Sequence, residues 1–124
     1  MTEPLALVLY ERLLPGSQVV NRLQDLRYRV QTVAEARLLV ECAEQAGPLL
    51  VLVDLEPAGK DVCAQIARLK QNPRTRHLPV IAFSSENASD LQGAAQTAGA
   101  TLVASDTAIL NHLPQLLEQA LHIE

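Results

Sequence analysis

The residue best placed to do chemistry is Asp54. It ends the apolar run Leu49 to Val53, and a loop containing Pro57 and Gly59 follows it. An uninterrupted apolar run of that length is too short for a helix and fits a strand covered on both faces, as in a parallel sheet flanked by helices. In open sheets of this kind, sites form beyond the carboxyl ends of the strands, where strand order reverses. A carboxylate there is aimed into a crevice. Other reactive types are scattered. His77, His112 and His122 have no partner at ligand or triad spacing and read as surface or helix-end residues. Cys42 and Cys63 stand alone on apolar positions of helical patterns and are expected to be buried reduced thiols, as suits a cytoplasmic protein. The loop after the first apolar run, YERLLPGSQ, is a poor cradle for a phosphate, and no glycine-rich nucleotide-binding motif occurs. An enzyme with its own small-molecule substrate is not expected.

The elements that position Asp54 are legible as a βα alternation. The first strand is expected at Leu5 to Tyr10, and Pro15 and Gly16 open a helix whose Val19, Val20, Leu23 and Leu26 share a face. A second strand spans roughly Tyr28 to Thr32. Thr32 and Glu35 have the spacing of a capping box, and Gly47 with Pro48 marks the end of the helix between them. After the Asp54 strand, Asp61 is a candidate N-cap for a helix that turns Val62, Ile66 and Leu69 inward and ends near Asn72 and Pro73. A strand from Val80 to Phe83 runs into Ser84 and Ser85. Ala88 to Ala98 reads as a helix of small residues closed by Gly99, followed by a short strand, Leu102 to Ala104. A turn near Thr107 to Asn111 and a helix from Pro114 to about His122 complete the chain.

Such an alternation predicts an α/β fold. The expectation is a single doubly wound, flavodoxin-like domain over 1–124, with a five-stranded parallel sheet of order 2-1-3-4-5 and helices on both faces. Glu11, just past the first strand, and Ser84, at the end of the fourth, would then flank Asp54. The composition agrees: 48% hydrophobic and 19% charged residues in 124 suffice for one core without disulfides or metal. A net charge of −4 argues against a nucleic-acid partner. Arg68, Lys70, Arg74 and Arg76 do cluster, but at a solvated helix end. No apolar run approaches the roughly 20 residues that span a bilayer, so no membrane partner is expected. The stretch after Pro4 reads as a strand, not a signal peptide.

With this arrangement in view, the chain resembles a response-regulator receiver domain over nearly its whole length. The segment IARLKQNPRTRHLPVIAFSS, Ile66 to Ser85, is similar to that family's third helix, connecting loop and fourth strand, and Ser84 falls where a Thr or Ser follows the apolar run. DLQGAAQTAGA, Asp90 to Ala100, resembles its fourth helix running into a Gly-Ala pair. Asp54 takes the phosphoacceptor position, with Gly59 and Asp61 at the family's offsets. There are departures. Two adjacent acids usually follow the first strand; here the counterpart is Tyr10 and Glu11, or at a one-residue shift Glu11 and Arg12. The Lys usual after the fifth strand is replaced by Ser105 or Asp106, the fifth strand lacks its usual aromatic residue, and Pro57 comes one place early.

The resemblance implies a small signalling module of two-component or phosphorelay signal transduction. Its partner would be another signalling protein, a histidine kinase or a downstream effector, with a homodimer as an alternative. The usual partner face would include Leu91, Leu110, Leu113 and Leu117. Phosphoryl transfer to Asp54 needs a cation to meet the developing charge. The resemblance assigns Mg²⁺ to that role, held by Glu11, Asp54 and the backbone carbonyl of Glu56, with Ser84 as a phosphoryl contact. No cofactor is needed if that chemistry is gone. Losing the Lys commonly costs a factor on the order of 100 to 1,000 in rate, and Asp106 would add repulsion. A degenerate receiver working by protein contact is therefore the leading expectation, and a working receiver phosphorylated on Asp54 the alternative.

Overall fold

The computed structural model describes residues 3–56 and 59–122. Strand β1 (Leu5–Leu9) leads through α1 (Leu13–Asp25) to β2 (Arg29–Val33), and a single 3-10 turn (Ala36–Leu38) precedes α2 (Leu39–Ala46). Then come β3 (Leu50–Asp54), α3 (Gly59–Gln71), β4 (Val80–Ser84), α4 (Ser89–Ala98), β5 (Leu102–Ser105), α5 (Asp106–Asn111) and α6 (Leu113–His122). The strands pair in parallel in the order β2-β1-β3-β4-β5. The order reverses between β1 and β3, as the sequence predicts, and Asp54 ends β3 at that place.

Alternation along the strands divides the core in two. Ala6, Val8, Leu50, Leu52, Ile81 and Phe83 pack with Val19 and Leu23 of α1, Ile109 of α5, and Leu113 and Leu117 of α6. Leu7, Leu9, Val51, Val53, Val80 and Ala82 pack on the opposite face with Leu39 of α2, Val62, Ile66 and Leu69 of α3, and Ala95 of α4. Because β1, β3 and β4 are covered on both faces, their sequences are apolar up to the final Asp54 of β3 and Ser84 of β4 rather than alternating. Of the four leucines in the expected partner face, Leu113 and Leu117 belong to the core, and Leu91 and Leu110 are half-buried against it. No helix among the described residues is long and apolar enough to cross a membrane.

Local expectations fail in three places. Thr32 pairs with Val8 inside β2, and the strand continues to the buried Val33, so no capping box forms. Glu35 instead precedes the 3-10 turn without a side-chain cap and pairs with Arg37 at 2.9 Å. An edge strand with polar residues gives little apolar signal for its end, which is why the boundary falls one residue late. Asp61 is the third residue of α3 rather than its N-cap; there it still faces the positive end of the helix dipole. The residues just ahead, Pro57 and Ala58, lie outside the described ones. Finally, Asp106 to Asn111 forms a short helix, not a turn, because the Ser105 hydroxyl accepts the Ala108 N–H at 3.1 Å and caps it.

Candidate functional site

Asp54 is buried, with a side chain at 0% exposure. A carboxylate so placed needs hydrogen-bond donors and a compensating charge. Both come from Arg12, which follows β1 and holds extended backbone, φ −77° and ψ 120°, at the start of α1. Its Nη2 donates to Asp54 Oδ1 at 2.7 Å, and its Nε reaches Oδ1 and Oδ2 at 3.2 and 3.1 Å. The other edge of the same guanidinium grips Asp106, with Nη1 to Oδ2 and Nη2 to Oδ1 both at 3.0 Å. Nη1 also lies 3.5 Å from Glu56 Oε2. One planar fork thus joins three carboxylates, drawn from the end of β3, the loop after it and the start of α5. Rigid bidentate geometry of this kind is particular to arginine. Burial alone would lower the Arg12 pKa, but the hydrogen bonds to Asp54 and Asp106 and their charges outweigh it and hold the guanidinium above its ordinary value. It is a permanent cation.

Glu56 extends the array towards β4. Its backbone N–H donates to Asp54 Oδ1 at 3.0 Å, while its carboxylate accepts the Ser85 N–H at 2.6 Å and the Ser85 hydroxyl at 3.3 Å. Ser84 is fully buried, yet its hydroxyl does not bond Asp54. It donates to the Ser85 carbonyl at 3.1 Å and accepts from Gln92 Nε2 of α4 at 3.0 Å. The hydrogen bonds therefore run from Arg12 through Asp54, Glu56 and Ser85 to Ser84 and α4.

Glu11 is placed elsewhere. The chain bends at Glu11 and Arg12, and the Glu11 side chain leaves the crevice that Arg12 enters. Glu11 is exposed and lines a separate groove of about 330 Å³ with Glu35, Arg37, Asp61 and Gln65. It has no hydrogen bond or ion pair with Asp54 among those of the described residues. Tyr10 packs in the core beneath α1, its ring laid against Gly16, where a Cβ would collide with it. Of the residues singled out in the sequence, the structure brings Asp54 and Glu56 together, reaches Ser84 only through Glu56 and Ser85, and separates Glu11.

A Mg²⁺ ion takes about six oxygens in octahedral array. Asp54, Glu56 and Asp106 could offer such oxygens, but the guanidinium stands among them, bonded to Asp54 and Asp106, and the Glu56 carboxylate is turned to Ser85. Among the described residues no group of three or more His, Cys, Asp or Glu side chains is arranged to hold a metal ion. The residues as they stand do not fit Mg²⁺. Asp106, expected as a repulsive neighbour of Asp54, is instead the second anchor of Arg12. Sequence reasoning missed Arg12: a cation beside the acids expected at this crevice is visible there, but the direction of its side chain is not.

No family model matches the sequence, and no curated protein matches it. The fold is that of response-regulator receiver domains. The signal receiver domain of a modulated diguanylate cyclase from Desulfovibrio desulfuricans is similar at TM-score 0.80 and 24% identity, over 98% of this chain and 95% of that one. A protein from Chloroflexus aurantiacus described as a response regulator gives a TM-score of 0.88 at 17% identity, over 98% and 100% of the two chains. A chemotaxis protein of Vibrio cholerae gives 0.81 at 17%, over 96% and 99%.

Proposed function

We propose that this chain is a receiver-like signalling module of two-component or phosphorelay signal transduction, cytoplasmic, acting by protein contact with weak or no phosphoacceptor chemistry. Its partner is another signalling protein, a histidine kinase or a downstream effector. The observation that carries this reading is the Arg12 fork across Asp54 and Asp106. To form an aspartyl phosphate, a carboxylate oxygen must attack phosphorus while fixed charges meet the phosphoryl oxygens. Asp54 Oδ1 already accepts from Arg12 and from the Glu56 N–H, and the side chain has no solvent exposure. Positive charge is present, but it stabilises the resting carboxylate. Stabilising the ground state more than the transition state slows the chemical step.

The same fork serves a structural end. It ties the turn after β1 to the end of β3 and the start of α5, so the loops that form this end of the sheet share one ionic centre. Incubation with Mg²⁺ and acetyl phosphate, with Asp54→Asn as control and intact mass as readout, tests the reading. No mass gain is expected. A stoichiometric, Asp54-dependent gain of one phosphoryl group would instead establish a working receiver.

A further inference from the structure

Four of the chain's ten Lys and Arg residues, Arg68, Lys70, Arg74 and Arg76, stand together at the end of α3 and in the loop to β4. Asn72 gathers them. Its backbone N–H donates to the Arg68 carbonyl at 3.1 Å, its carbonyl accepts the Arg76 N–H at 2.8 Å, and its side-chain Oδ1 accepts the Arg74 N–H at 2.8 Å. Its Nδ2 donates to Glu44 of α2 at 2.8 Å, which ties up the acid that borders the patch. The backbones of three arginines are thus each one hydrogen bond from a single residue whose own polar groups are all engaged. Beneath them the buried Thr75 donates its hydroxyl to the Leu69 carbonyl at 2.7 Å, and Lys70 Nζ donates to the Leu78 carbonyl at 2.7 Å, so the loop is fastened to the helix it follows. Lys70 is committed to that contact. Arg68, Arg74 and Arg76 are exposed and have no ion-pair partner among the described residues.

We propose that this patch is the docking site for an acidic segment of a protein partner, whose Asp and Glu side chains pair with Arg68, Arg74 and Arg76. The helix alone does not account for the charge. Arg68 and Lys70 lie in the last turn of α3, where cations offset the negative end of the dipole, but Arg74 and Arg76 lie beyond it. The three free cations are all arginines, whose planar fork meets a carboxylate with two parallel hydrogen bonds. A frame fixed before binding lowers the ordering cost of such a contact. A protein segment fits better than other polyanions. Outside the patch the chain carries six basic residues against fourteen acidic ones, which repels a nucleic acid or an anionic bilayer that extends past the loop. Residues 68–77 also expose no large apolar side chain to enter a bilayer. The patch precedes the N-terminal end of β4, whereas Asp54 closes the C-terminal end of its parallel neighbour β3, so the two sites lie at opposite ends of the sheet. Only the protein nature of the partner is taken from the function proposed above; docking here does not depend on whether Asp54 accepts phosphate.

Fluorescence anisotropy with a labelled oligoglutamate peptide tests this on the intact chain, with circular dichroism to confirm that each variant folds. The wild-type protein is expected to bind the peptide, and more weakly as salt rises. Reversing two charges in the patch, Arg74→Glu with Arg76→Glu, should weaken binding by about tenfold or more. Arg68→Glu provides a second patch variant should that pair fail to fold. Reversing two charges elsewhere, Arg22→Glu with Arg27→Glu, changes the net charge equally on and just after α1, which packs on the opposite face of the sheet from α3. That pair should alter binding by less than about twofold, because charges further off than a Debye length of about 8 Å are screened at physiological salt. A wild-type protein that does not bind the peptide even at low salt overturns the proposal. Equal losses in the patch pair and the remote pair overturn it too, since attraction would then follow net charge and not this loop. A DNA duplex or a phosphatidylserine vesicle that binds more tightly than the peptide at matched charge overturns it in favour of a nucleic acid or a membrane.

Discussion

Replacing Arg12 with Met keeps the aliphatic stem and withdraws the fork. Five donor contacts disappear, and Asp54 is left with the Glu56 N–H as its remaining donor among the described residues. Removing one partner of a buried ion pair costs about 3–5 kcal/mol. The Arg12 side chain is 24% exposed, so water can enter the space it vacates, and the loss is better placed at about 2–3 kcal/mol. For a domain of this size that corresponds to a fall of about 8–12 °C in Tm. Urea and thermal denaturation at neutral pH read it directly. A double-mutant cycle then shows whether the loss runs through the acid. In the Arg12→Met background, Asp54→Asn removes the orphaned charge and should return about 1–2 kcal/mol, whereas in the wild-type background the same change is destabilising. An Arg12→Met protein within about 0.5 kcal/mol of wild type, or an Asp54→Asn effect that simply adds to it, would refute the reasoning.

Gly16→Ala places a methyl group against the Tyr10 ring and is expected to destabilise by about 2 kcal/mol in urea denaturation, with Tyr10→Ala relieving most of the loss in the double mutant. Gly93→Ala has open space around it on the exposed side of α4 and should stabilise by about 0.5–1 kcal/mol.

The sheet was legible because its central strands are buried on both faces and must be written in apolar residues. The boundaries of β1, β3 and β4 fall within a residue of the sequence expectation, and the strand order follows from the βα alternation. β2 also falls within a residue of expectation, but the capping box read at its end does not form. Its Arg29, Gln31 and Thr32 are exposed, and only Val33 is buried, so the apolar pattern did not say where pairing stops. At the site, Asp54 announced itself by ending an apolar run. Arg12 did not, since its role depends on which way an extended turn points three consecutive side chains and on how far a long flexible stem reaches. Residue type fixes the charge available, but the direction in which it is delivered is a tertiary property. The same reason misplaced Glu11, whose carboxylate is suitable in kind and faces the wrong groove.

The cation at this strand-end crevice is covalently part of the chain. A dissolved ion must be recruited from solution, competes with water and other ligands, and leaves when a chelator or a fall in metal concentration draws it away. A guanidinium tethered a few bonds from the backbone is present at an effective concentration that no bulk condition changes. Asp54, Glu56 and Asp106 therefore keep this one counter-charge under chelation and metal starvation alike. What a metal-dependent site would report about the metal content of its surroundings, this one does not register.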